Sequence, residues 1–153
     1  MKTVLTTLLA ICVCLVIGCG QGGEAKEFEK QLAAAERGDA DAQYWLGEKY
    51  HMGQGVEQDF KEAVKWWHKA AEQGVKEAQF CLGAMYYRGD GVPEDIVTAF
   101  AWFNIAAANG CEAGKEAKDT TVNKRLEKIT PTQISKAQAL SKEMIAKNPK
   151  LMN

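Results

Sequence analysis

Apolar residues recur along this chain at helical spacing, in pairs of segments separated by glycine-containing turns. Ala42, Leu46 and Tyr50 follow an i, i+4, i+8 pattern with Gly47 beside them, and Ala63, Trp66, Trp67, Ala70 and Ala71 mark a second helical face. The same pair returns 36 residues later as Ala78, Leu82, Gly83 and Tyr86, then Ala99, Trp102, Ala106 and Ala107. A fixed period of this size predicts a helical repeat. Before it, Phe28, Leu32 and Ala35 share one face of an N-terminal helix over 24–37. After it, Ile134, Ala137, Leu140, Met144 and Ile145 form the apolar stripe of a final helix.

The turn chemistry agrees with these boundaries. Gly53-Gln54-Gly55-Val56 and Gly89-Asp90-Gly91-Val92 separate the two helices of each unit, and Gly38, Gly74 and Gly110 stand at unit junctions. Asp59 and Asp95 stand at N-cap positions, and Glu62 is placed to complete a capping box with Asp59. Gly47 and Gly83 fall inside helices, where glycine costs up to about 1 kcal/mol, so a neighbouring helix is expected to pack too closely for a Cβ. Past Gly110 the pattern decays: Lys118, Asp119 and Val122 replace Leu46, Gly47 and Tyr50, although 111–129 still suits a helix. Thr130-Pro131-Thr132-Gln133 then supplies an N-cap, an N1 proline and a capping-box glutamine, and Pro149 is expected to end the chain's last helix.

The series Ala42-Gln43-Tyr44-x-Leu46-Gly47-x-x-Tyr50-x-x-Gly53-x-Gly55-Val56-x-x-Asp59-x-x-x-Ala63-x-x-Trp66-x-x-x-Ala70-Ala71-x-x-Gly74 resembles the Sel1-like repeat, a relative of the tetratricopeptide repeat. The resemblance covers about half of the chain. It implies an all-α α/α solenoid, or superhelix, that binds other proteins. On this reading 24–37 is an N-terminal capping helix, 38–73 and 74–109 are two full units, and 110–153 holds a degenerate third unit and a C-terminal capping helix. By similarity to the tetratricopeptide fold, the first helix of each unit lines a concave groove. The positions carried over are Asp41, Tyr44, Glu48, His51 and Met52, then Glu77, Phe80, Ala84, Tyr87 and Arg88. A groove with aromatic and methionine side chains and charges of both signs suits an extended peptide or a partner helix.

At the N-terminus Lys2 precedes an apolar run from Val4 to Ile17, too short for a stable membrane span and suited to a secretory signal. Gly18-Cys19 resembles the lipobox of bacterial lipoproteins, which implies cleavage after residue 18 and lipidation of Cys19. Ile11 and Val13 make Cys12 and Cys14 poor alternatives. Residues 19–23 read as a lipidated tether. Gly20 stands where an aspartate would signal inner-membrane retention, so a lipid-anchored protein at the outer membrane, facing the periplasm, is the expectation.

Composition changes little: 46% hydrophobic and 25% charged residues, with a net charge of -1, offer no basic face for nucleic acid. Catalytic inventory is thin. His51 and His68 are the only histidines, and Tyr87 and Asn104 replace them in the second unit, so neither is assigned a catalytic or metal role. Glu57 and Asp59 flank a turn. Cys81 and Cys111 read as buried free thiols, since a register offset of about 9 Å along the axis disfavours a bridge. The recurring Trp66/Trp102 and Tyr50/Tyr86 pairs are expected in the inter-repeat core, and Trp67 with Phe103 likewise in packing. No cofactor is implied. The favoured function is a non-enzymatic adaptor for an envelope or periplasmic protein. The alternatives are an envelope enzyme acting on peptidoglycan or β-lactams, and a structural lipoprotein that binds glycan strands.

Overall fold

A computed structural model describes residues 22–116 and 129–152. The expected signal peptide and Cys19 lie outside the described residues, as do Lys118, Asp119 and Val122. The architecture is all-helical: α1 (Gly22–Glu36), α2 (Ala40–Met52), α3 (Phe60–Glu72), α4 (Lys76–Arg88), α5 (Ile96–Ala108) and α6 (Pro131–Lys147), followed by a 3₁₀ turn, Pro149–Leu151. Residues 112–116 are helical too. Helix α1 starts at Gly22, so Gly22 and Gly23 belong to it rather than to a flexible tether.

Helices α2 and α3 form one unit, α4 and α5 the next. The side chain of Asp59 accepts from the Lys61 and Glu62 amides, and Asp95 does the same for Val97 and Thr98. Burial by itself would raise the Asp95 carboxyl, but hydrogen bonds from Thr98 and Val97 outweigh it and hold the group below the usual carboxylate value. The capping box expected at Asp59 does not form. The Asp59 amide already donates to the Tyr50 carbonyl at 2.9 Å, and the Glu62 carboxylate pairs with Lys65 at 3.0 Å instead. At Thr130 both halves of the box are present, with Pro131 in the first turn.

Each unit is closed by an unusually near approach of its two helices. A Cβ on Gly47 would stand 2.5 Å from Cδ1 of Trp67, and one on Gly83 would stand 2.5 Å from the Phe103 ring. The helix-interior glycines are therefore required by packing. Between units, Gly91 (φ 72°) lets the second turn settle on the start of α3: a Cβ there would meet the Phe60 carbonyl at 2.6 Å. Its counterpart Gly55 takes the same conformation with open space around it.

The main core runs through both units, with Val64, Trp67, Leu82, Met85, Trp102 and Ile105 buried. At roughly 1.5–3 kcal/mol for each large apolar side chain removed from water, this layer dominates the stability. Trp66 packs with Ala35 and Leu46 under α1, where the Phe28 ring meets Tyr50 edge-on at 6.1 Å. Trp102 meets His68 of the first unit at 5.6 Å, so each recurring tryptophan packs on the element before its own unit. At the far end Phe100, Ile129 and Ala137 join α5 to α6, as a terminal cap must. Pro149 does more than stop α6. It opens a turn that carries Leu151, 3% exposed, back into the core.

His68 gives this packing a pH dependence. Its Nε2 lies 3.3 Å from the Tyr86 hydroxyl, and burial lowers its pKa below the ordinary value, with Glu72 opposing weakly. The unfolded chain thus takes up this proton first as pH falls. The His68 contribution is fully present above about pH 6.5 and is lost as pH drops from there through the lower folded value. The urea midpoint should therefore fall between about pH 7.5 and pH 5.5. His68→Asn, copying the second unit's Asn104, should flatten that slope. An unchanged slope in the variant would assign it to other groups.

Candidate protein-binding face

Helix α2 buries Gln43, Leu46 and Gly47, and α4 buries Ala78, Gln79, Leu82, Gly83 and Met85. Helical geometry then turns Asp41, Trp45, Glu48 and Met52 outward on α2, with Glu77, Cys81, Ala84 and Arg88 at the matching positions of α4. Contact between the two stripes is direct, because the Cys81 thiol donates to Glu48 Oε1 at 3.6 Å.

Of the residues expected in the groove, Tyr44, Glu48, Met52 and Arg88 lie at this face. Tyr44 is half-buried; burial first, then Glu48, Cys81, Glu77 and Cys111, push its hydroxyl up to about 12. Met52 is 56% exposed. Arg88 pairs with Asp90 at 2.9 Å. Tyr87 is half-buried at the C-terminal end of α4.

His51 and Phe80 depart from the expectation. The His51 ring sits 5.5 Å from Phe60 and 5.4 Å from Trp67, and Phe80 sits 5.7 Å from Phe103. Both rings therefore pack against the second helix of their own unit. Trp45 was the omission. It is 58% exposed, more than any other large apolar side chain described, and meets Tyr44 edge-on at 5.2 Å. The signal available was its failure to recur: the repeat demands no tryptophan there, since Cys81 fills the same position.

A second recurrence, Gln43 with Gln79, supports the face from behind. Gln43 Nε2 donates to the Ala35 carbonyl at 3.0 Å, and Gln73 Nε2 donates to Gln43 Oε1 at 2.8 Å. In the next unit Gln79 donates to the Ala71 carbonyl at 3.2 Å, and Asn109 donates to Gln79 at 2.9 Å. Each glutamine so ties the end of the preceding helix to the first and last turns of its own unit. Gln79 also donates to the Leu151 carbonyl at 2.9 Å, and Asn148 donates to the Glu72 carbonyl at 2.9 Å. These bonds fasten the C-terminal turn across the junction of the two units.

Cys81 and Cys111 are free thiols, and burial with the nearby Glu48 raises Cys81 above its ordinary value, which keeps it protonated. Among the described residues, no three His, Cys, Asp or Glu side chains converge as a metal set, and no helix is long and apolar enough to cross a membrane.

The Sel1 repeat family model matches residues 40–75 and 76–111. No curated protein sequence matches the chain. Among solved structures, the chain is similar to c5321, a protective antigen of uropathogenic Escherichia coli with an SLR fold. There the TM-score is 0.75 and the identity 38%, over 84% of this chain and 28% of the other. It is also similar to a Sel1 repeat protein from Oxalobacter formigenes, with a TM-score of 0.54 and 41% identity over 54% of this chain and 63% of the other. The chain thus spans less than a third of the length of the first and less than two thirds of the second.

Proposed function

This chain is a Sel1-repeat protein, and we propose that it serves as an adaptor, holding a partner protein on the α2–α4 face while a lipid on Cys19 anchors it to the cell envelope. Sel1 repeats are in general protein-interaction scaffolds. The observation that carries the reading is the outward stripe of Trp45 and Met52, 58% and 56% exposed on one helix. A folded helix keeps such side chains in water at a cost in solubility, and tryptophan is over-represented among residues that dominate binding energy. The anchor rests on the apolar leader followed by Gly18-Cys19. The intended partner is then an envelope protein at the periplasmic side of the outer membrane. Two units make a short face, so modest intrinsic affinity is expected, raised by confinement at the membrane.

The test is affinity capture from detergent-solubilised envelope with the full chain as bait, beside a Tyr44→Ala/Trp45→Ala/Met52→Ala chain. A protein retained by the first and lost from the equally folded second supports the reading. Equal retention moves the site elsewhere, and retention of nothing opposes the adaptor reading. Cells given an alkyne-bearing fatty acid should label the wild-type chain and leave Cys19→Ser unlabelled; label on both would remove Cys19 as the anchor.

A further inference from the structure

The exposed face has a one-sided electrostatic character. Asp41 lies one turn before Trp45, and Glu48 one turn after Tyr44. The charge of Glu77 on α4 acts on the Tyr44 hydroxyl, and every charged or ionisable neighbour that shifts Tyr44 acts in the same sense as these carboxylates. Asp41, Glu48 and Glu77 have no ion-pair partner among the described residues. Nearby cations are fewer than the carboxylates. Arg88 lies about 16 Å further along α4 from Glu77 and is paired with Asp90, although its charge is felt at Cys81, beside Glu48. Lys115 is paired with Glu112, and Lys49, one turn after Trp45, is among the described residues the one cation beside the indole, where it also borders Glu27 and Gln54. The face therefore presents an open indole with Tyr44 edge-on against it, among three carboxylates without an ion-pair partner that outnumber the one free cation among the described residues there, Lys49.

We propose that this face selects a lysine- or arginine-bearing segment of its partner protein, the cation lying over the exposed Trp45 ring among Asp41, Glu48 and Glu77, with apolar neighbours of the segment against Met52. The proposal rests on the protein-binding reading and adds the chemistry of the partner. A cation over an indole is stabilised by the ring's negative face, and flanking carboxylates add attraction that salt screens. An acidic segment would meet an excess of like charge, so the face discriminates by sign as well as by shape.

The probe is a library of random 12-residue peptides displayed on phage, panned against the full chain in non-ionic detergent. Retained peptides should be enriched in Arg or Lys next to apolar residues. As synthetic peptides they should lose about fivefold or more in affinity for Trp45→Ala, and again for Glu48→Gln/Glu77→Gln. Raising salt from about 50 to about 500 mM should weaken them further. All three substituted positions lie on the outer stripe, and far-ultraviolet circular dichroism checks that each variant is folded. Retained peptides that are neutral or acidic, yet depend on Trp45, would overturn the charge selection and leave the adaptor reading standing. Cationic peptides that bind wild type and all variants alike would overturn both this site and its chemistry. A library that yields no binder would count against both.

Discussion

Gly47→Ala should destabilise the protein by about 1–3 kcal/mol, although alanine is the better helix former. The cause is steric. The new Cβ would stand 2.5 Å from Cδ1 and 2.6 Å from Nε1 of Trp67. That ring is 1% exposed and belongs to the central core, so it has no room to withdraw without displacing Val64 or its other neighbours. In a Trp67→Leu background the obstruction is gone, and Gly47→Ala should then be neutral or stabilising by up to about 1 kcal/mol through helix propensity alone. Urea unfolding of the four chains closes the cycle. A loss of equal size in both backgrounds would mean that the indole is not what excludes a Cβ. The same argument applies to Gly83 and Phe103 in the second unit, where the approach is again 2.5 Å.

Gln79→Leu should cost about 1–3 kcal/mol, because it strips partners from groups that are otherwise sealed from water. Gln79 is 0% exposed and bonds the Ala71 carbonyl, the Leu151 carbonyl and the Asn109 amide. Gln43→Leu should cost less. Gln43 bonds one carbonyl where Gln79 bonds two, and its partner Gln73 is open to solvent. The two variants should differ in a second readout. Only Gln79→Leu loosens the C-terminal turn, so the Leu151 amide, which donates to Asn148 at 3.1 Å, should exchange faster there than in Gln43→Leu. Equal exchange in both variants would show that the Asn109 bond to the Leu151 carbonyl and the apolar contacts of Leu151 hold the turn without Gln79.

The sequence made the helices and the two units legible because both copies need the same caps and the same close approaches, and each such need leaves a recurring Gly, Asp or Trp. It left the proposed face partly illegible for the complementary reason. A surface that meets one partner has no obligation to recur, and Trp45 is matched by Cys81 in the second copy. Helical spacing also does not reveal that the half-buried His51 and Phe80 rings meet Trp67 and Phe103 of the second helix of their unit. Pro149 reads as a stop in any local account. Its return of Leu151 to the core is fastened by Gln79 and Asn109, 72 and 42 residues away, and sequence spacing carries no trace of those bonds.

The measurement that bears most directly on the central claim is site-specific photo-crosslinking in producing cells. A benzophenone side chain would be placed at Trp45 or Met52 on the outer stripe of α2, and at Lys65, an exposed position on α3, for comparison. The account predicts a discrete crosslinked protein from Trp45 and Met52 and none from Lys65. A crosslink that forms from Lys65 while Trp45 and Met52 stay uncrosslinked would contradict it, and would move the binding face to the second helices.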